Sequence, residues 1–277
     1  MNLKVNRYGL AAALAGLLLS GAAHAVPISP GGEISLDALF NAPGTGWIES
    51  GPALDVNGPE QKTSANWEIT ASNGSFSRLI IELAGNKNFN SFGIYDVLNT
   101  GNKLELFSGL ANAGSYSTTV KQINSTFVST TCTDLVNFCT GPIQPIINQA
   151  TFGSSIFGYY LNTPNSTFYS NAALNDGGMD QMVAFQGDGT NALDAKRTAD
   201  FFGAGASAWI SNEWVLAWED ISRVAGSSSD SDFNDFIVVV ESVTPHPVPE
   251  PATLALLGMG LLGLGAKRRQ KKAAEAA

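Results

Sequence analysis

Histidine is nearly missing from this chain: 277 residues contain two, His24 and His246. The first lies in an N-terminal leader and the second in a proline-rich segment near the C-terminus. The sequence therefore predicts a folded body without histidine, which excludes Ser-His-Asp and Cys-His nucleophilic catalysis and His-containing zinc sites. No G-x-S-x-G elbow, P-loop or dinucleotide fingerprint occurs either. A glycosidase needs only two carboxylates, so that class stays open. Cysteine is as scarce. Cys132 and Cys139 enclose a short loop, for which a disulfide in an oxidising compartment is the expected state, with a metal pair or two free thiols as alternatives. Such a bridge would act as a local staple.

Positive charge is also in short supply, with 15 Lys and Arg against 24 Asp and Glu. Residues 26–250 hold 8 of the basic and 23 of the acidic residues, a net charge of −15. That balance argues against nucleic acid and anionic membrane as partners and favours cations. Sustained apolar periodicity of 3.6 residues is lacking too; the best helical stretch, residues 191–202, is short.

Both termini carry addresses. Lys4 and Arg7 precede an apolar run over residues 9–19, which closes on Ala23-His24-Ala25. This order of charge, apolar run and small-x-small site is a secretory signal peptide, residues 1–25, cleaved after Ala25. Residues 252–266 form a second apolar run followed by Lys267, Arg268, Arg269, Lys271 and Lys272. Fifteen helical residues cover roughly 22 Å, short of a ~30 Å hydrocarbon core. Such a segment suits a transient stop in the inner membrane with its charges left in the cytoplasm. Between body and helix, residues 244–251 include Pro245, Pro247, Pro249 and Pro251, which predicts an extended, exposed tether.

The body, residues 26–243, reads as all-β. Short strand-like runs at 67–70, 76–83, 92–97, 103–107, 116–120 and 126–129 alternate with Gly/Asn/Ser turn clusters. Further runs follow at 156–161, 167–170, 181–185, 213–218 and 236–243. Many short strands with regular punctuation predict a β-sandwich, jelly-roll-like. Residues 140–149, with Pro142 and Pro145, are either a linker between two small domains or a long loop within one sandwich.

The densest chemistry lies after Trp218. Asp230, Asp232, Asn234 and Asp235 place four oxygen-bearing side chains within six residues, the alternating spacing by which a turning loop aims hard oxygens at Ca²⁺. Glu241 falls at the twelfth position of an EF-hand pattern. Asp235, however, replaces the glycine of that loop, and residues 236–240 are strand-like, so an EF-hand is excluded. The alternative is a polar turn with Asp as an ordinary turn-former. Asp176 and Asp180 sit in a second acidic cluster, Asn175-Asp176-Gly177-Gly178-Met179-Asp180, which is either a neighbouring source of ligands or a hairpin turn. Trp209, Trp214 and Trp218, with Phe201 and Phe202 upstream, suit strand packing better than a sugar-stacking platform.

Val248-Pro249-Glu250-Pro251, the Leu/Gly run and the terminal Lys267-Arg268-Arg269 closely resemble the PEP-CTERM sorting signal. The resemblance implies recognition by an exosortase and removal of the helix and basic end. It further implies delivery to the cell surface or extracellular matrix of a Gram-negative bacterium, in association with exopolysaccharide and biofilm. The body resembles a group of exported bacterial domains known as domain of unknown function 4114, most strongly over residues 90–243. The carriers are Ser91-Phe92-Gly93-Ile94-Tyr95-Asp96, Phe157-Gly158-Tyr159-Tyr160-Leu161, residues 175–185 and Trp218-Glu219-Asp220 with residues 230–239. Gln181 stands where that group has a histidine. The resemblance implies a surface β domain that binds Ca²⁺, and no reaction. The expectation is thus a non-enzymatic surface or matrix protein, with a carbohydrate-binding lectin or a carboxylate-dependent glycoside hydrolase as the alternative.

Overall fold

A computed structural model describes residues 34–43, 46–58, 65–72, 74–82, 89–108, 117–132, 145–194 and 206–247. The signal peptide (1–25), Val248 to Pro251 of the sorting motif, the sorting helix and basic tail (252–277), Phe201, Phe202 and Cys139 lie outside them. Two compact units divide at His246/Pro247, and the first holds every described element but the last residue of the last strand.

In chain order the elements begin with helix α1 (Leu36–Asn41) and strands β1 (Ile48–Ser50), β2 (Ala65–Ile69), β3 (Ser75–Glu82) and β4 (Ser91–Asp96). There follow β5 (Asn99–Phe107), β6 (Ser117–Ile123), β7 (Thr126–Cys132), β8 (Ile146–Thr151), β9 (Phe157–Asn162) and β10 (Thr167–Tyr169). The last are β11 (Met182–Gln186), β12 (Ala192–Asp194), β13 (Ala206–Ala208), β14 (Glu213–Trp218), β15 (Phe236–Glu241) and β16 (Val243–Pro247). The fold is all-β. One sheet runs β11-β14-β15-β3-β6-β7-β8; a second runs β16-β2-β9-β4-β5 with β10 added on β9; a small third runs β1-β12-β13.

The central strands explain the layering. β11, β14 and β15 are buried along almost their whole length, so their sequences read as apolar runs without alternation. Because successive side chains point to opposite faces, each run divides by parity. Met182, Ala184, Trp214, Leu216, Trp218, Phe236, Val238 and Val240 join one core with Trp67, Phe92, Phe157 and Tyr159 of the second sheet. Val183, Phe185, Val215, Ala217, Ile237 and Val239 join another with Leu36, Leu39 and Phe40 of α1, Trp47, Leu193 and Trp209. The large sheet is therefore sandwiched between the second sheet and a cover made of α1 and the small sheet. Aromatic rings cross the first interface: Trp67 meets Trp214 edge-on at 5.2 Å, and Phe92 meets Trp218 at 6.0 Å.

Several sequence expectations change. Helix α1 stands outside the strand-like runs of the sequence: Ser35 caps it, its Oγ accepting from the Ala38 N–H at 3.2 Å, and Leu36, Leu39 and Phe40 share one buried face. The helical reading of 191–202 fails at its start, where Ala192–Asp194 pairs with β1 and β13; residues 195–202 lie outside the described set. Residues 146–149 of the supposed linker belong to β8, paired to β7, so the body is one unit. The proline-rich tether begins as β16 on the edge of the second sheet, the place where a strand tolerates proline. His246 consequently belongs to the folded body: half-buried, its Nε2 lies 2.8 Å from Glu68 Oε2. Ser155 Oγ donates to the other oxygen of Glu68 at 3.4 Å, so that hydroxyl reaches the carboxylate and makes no Ser-His pair. Trp209, Trp214 and Trp218 are 1%, 1% and 0% exposed, which places them in the core. Cys132, at the end of β7, is disulfide-bonded.

Phe40 is fully buried, against Trp47, Phe185 and Trp209. Phe40→Ala should cost about 3–5 kcal/mol, read as a lower urea midpoint with little change in slope.

Candidate metal centre in the β14–β15 connection

β14 and β15 pair antiparallel, with Trp218 opposite Phe236. The connection over residues 219–235 thus leaves and re-enters the sheet at interior depth. Its first two residues, Glu219 and Asp220, are 0% and 4% exposed; among its last, Asp232 and Asn234 are 0% and Asp235 is 9% exposed. Burying this many carboxylates is costly unless each gains donors, a proton or a cation.

The donors come largely from the loop itself. Glu219 Oε1 accepts the Phe233 N–H at 2.7 Å and Oε2 accepts the Ser229 hydroxyl at 2.5 Å. Asp220 Oδ2 accepts from Asn90 Nδ2 at 3.0 Å, a bond that joins the two large sheets, while the Asp220 N–H donates to Asp235 Oδ2 at 2.9 Å. Asn234 donates from its N–H to Asp232 Oδ1 at 3.2 Å, and from Nδ2 to Asp232 Oδ2 and to the Ile34 carbonyl. Ser231 and Phe233 both take positive φ, 61° and 56°, a conformation that turns this alternating chain tightly.

Glu219, Asp230 and Asp232 each bring a carboxylate oxygen within 4.8 Å of the others. Of the six residues that the sequence nominates as ligands, Asp230 and Asp232 therefore converge. Asp235 turns to the Asp220 backbone, and the Asn234 amide group braces Asp232. Asn234 Oδ1 is buried with no hydrogen-bond partner. Asp176 is exposed in a short 3₁₀ turn; the Asp180 carbonyl accepts from Arg223. Neither joins the Glu219 group. Asn175 holds their turn against β10, accepting the Tyr169 N–H at 2.8 Å and donating to the Tyr169 and Met179 carbonyls.

Glu219 is the member of this group that residue spacing misses, since it lies eleven positions before Asp230 and only strand pairing brings it back. Gln181 braces the same loop. Buried just before β11, it donates to the Ile221 carbonyl at 2.9 Å and accepts the Arg223 N–H at 3.2 Å. Arg223 is the cation of the site: Nε donates to Ser231 Oγ at 3.1 Å, and the guanidinium lies 4.6 Å from the centre of the Phe233 ring. Burial pushes the Glu219 carboxyl above its ordinary range, with Asp230 adding to the rise and the Phe233 and Ser229 bonds opposing it. Burial, then the neighbouring Asp220, push Asp235 up to about 8.

Residues 247–269 match the PEP-CTERM protein-sorting motif. The chain carries an exosortase sorting signal. That motif marks an exported protein sorted to the envelope, and the match meets the β body only at Pro247, the last residue of β16. No curated protein matches the chain. No solved structure matches it either. Among the described residues no helix is long and apolar enough to cross a membrane.

Asp235 sets a pH dependence for the metal-free protein. Its folded pKa lies above the unfolded value, so its contribution is full below the ordinary carboxylate range and is lost as pH rises through about 8. In EDTA, stability should fall between about pH 4 and 8 by up to ~1 kcal/mol per pH unit. Asp235→Asn should flatten that slope in urea titrations run at several pH values.

Proposed function

We propose that the exported body is a non-enzymatic cell-surface or extracellular-matrix protein whose β14–β15 connection is stabilised by Ca²⁺. The observation that carries this reading is the convergence of Glu219, Asp230 and Asp232 from two ends of one loop. The donor set suits a hard cation: carboxylates, with an unpartnered amide oxygen on Asn234 nearby and no thiol or imidazole in the group. Ca²⁺ would supply the positive charge that one arginine cannot. Glu219 and Asp232 are already held by hydrogen bonds within the loop, which favours a structural ion over a reacting one.

The sorting signal supports processing by an exosortase, passage through the inner membrane and release to the surface. Association with exopolysaccharide and biofilm matrix, a jelly-roll-like topology and kinship of residues 90–243 with the domain of unknown function 4114 group complete the reading. The acidic surface suits a Ca²⁺-rich, glycan-rich exterior. Burial of Trp209, Trp214 and Trp218 removes the stacking platform on which a lectin reading rested.

Two experiments test it. Melting of the exported protein in Ca²⁺ should exceed that in EDTA by several degrees, an increment that Glu219→Gln and Asp232→Asn remove. Equal melting temperatures in the two buffers would overturn the metal. Mass spectrometry of the mature C-terminus from native cells should find residues 252–277 gone; their presence would overturn the sorting.

A further inference from the structure

A cavity of about 260 Å³ lies where the cover layer meets the large sheet. Residues 52–55, after β1, make one wall, the β11–β12 connection another, and Trp209, after β13, a third. Gln186 pairs with Trp214, at the far end of β14 from Glu219, so the cavity and the acidic loop occupy opposite ends of the sheet.

Two glycines let these walls approach. A side chain at Gly51 would run into Asn191 Oδ1 and, at 2.6 Å, the Thr190 carbonyl; one at Gly187 would meet the Trp209 carbonyl at 2.5 Å. Hydrogen bonds then hold each wall in place. Asn41 of α1 accepts the Leu54 N–H and donates to the Leu54 carbonyl, both at 2.8 Å. Gly189 donates to the Trp209 carbonyl at 2.8 Å, the Trp209 N–H donates to the Asn191 carbonyl at 2.9 Å, and the indole stacks on Phe40. The cavity is preformed.

Its polar groups are mostly acceptors. Asp188 Oδ1 accepts from the Thr190 N–H and hydroxyl at 2.8 and 2.6 Å, and Asp55 Oδ1 accepts the Asn57 N–H at 3.0 Å. Each carboxylate is thereby aimed, with Oδ2 left to accept. Gln186 donates its amide to the Ser211 carbonyl at 2.5 Å, which leaves its Oε1 as a third acceptor. Asn191 Oδ1 and Trp209 Nε1 are buried without a hydrogen-bond partner, a cost that a recruited hydroxyl would relieve. Two carboxylates and no Lys, Arg or His among the lining residues disfavour an anion. Pro52, Leu54 and the indole add apolar surface that a bare metal ion would not use. The complement is a small neutral molecule that carries several O–H donors on an apolar body.

We infer that this cavity binds one sugar ring of a neutral glycan, with ring C–H groups against Pro52 and Leu54 and hydroxyls donating to Asp55, Asp188 and Gln186. The volume lies just below the ~300–1,000 Å³ of sites for drug-sized ligands, which suits a single ring. It is a pocket and not a flat tryptophan platform, so the burial of Trp209 does not oppose it. The choice of a glycan among polyols rests on the reading of the body as a surface or matrix protein.

Titration of the exported protein with the methyl glycosides of glucose, galactose and mannose tests this, with the indole N–H signals of its five tryptophans followed by NMR. The Trp209 signal, assigned with Trp209→Phe, should move with at least one of these sugars and saturate at roughly millimolar concentration. Asp188→Ala, and independently Asp55→Ala, should weaken binding at least about tenfold with the melting curve unchanged, since both side chains are exposed. Asp176→Ala, an exposed carboxylate outside the cavity, should leave binding intact. No shift with any of the three sugars up to about 100 mM, binding indifferent to both cavity substitutions, or equal loss in Asp176→Ala would each overturn the proposal. Sugar binding should be the same in Ca²⁺ and in EDTA, so loss of the metal reading, seen as equal melting temperatures, is told apart from loss of the pocket.

Discussion

Burial of β11, β14 and β15 on both faces is the constraint from which the rest of the structure follows. A strand covered on one side can end in solvent, because its backbone emerges at the surface. A strand with α1 and Trp209 on one side and Trp67 and Phe92 on the other ends inside the protein. Its connection must then satisfy buried polar groups from its own residues. The β14–β15 connection does this with Glu219, Ser229, Asp232 and Asn234, whose side chains accept from or donate to one another and to the loop backbone. The loop's unusual chemistry is thus a consequence of where the sheet sits.

That solution leaves an imbalance. Hydrogen bonds satisfy the carboxylate lone pairs but do not cancel the charge, and Arg223, which feels Glu219 and Asp180, is the single Lys or Arg of a connection that holds Glu219, Asp220, Asp230, Asp232 and Asp235. Protonation relieves part of it: burial first, and then the charge of Asp220, push the Asp235 carboxyl up to about 8. A divalent ion relieves more, and on the proposed reading the loop orders most firmly where Ca²⁺ is plentiful. The sorting signal marks the protein for export to the envelope, and on the proposed reading it meets that ion there. Folding stability and destination would then be matched by one loop.

The same burial decides what could be read from the residues alone. Runs such as Phe236-Ile237-Val238-Val239-Val240 announce strands clearly, and their lack of alternation is itself a sign of cover on both faces. Asp230 and Asp232 were legible because their spacing is local. Glu219 was not: its place beside them depends on the pairing of Trp218 with Phe236, a long-range fact. Helix α1 is only six residues long, too short for periodicity to declare it, and is held by a cap and by Phe40 packing. Residues 192–194 and 146–151 are strands because neighbouring strands offer them hydrogen bonds, against weak local preference. Prolines at 245 and 247 suggested a free tether, whereas an edge strand accepts them.

β16 alters how the C-terminal address is presented. The strand runs to Pro247, where the sorting match begins, so Val248 alone separates the folded edge from the Pro249-Glu250-Pro251 box. β16 in turn is joined to both large sheets, by pairing with β2 in the second and through Ser242 to β15 in the seven-stranded one. The His246–Glu68 pair ties this last strand to its neighbour β2, so the sorting box follows directly on an anchored strand.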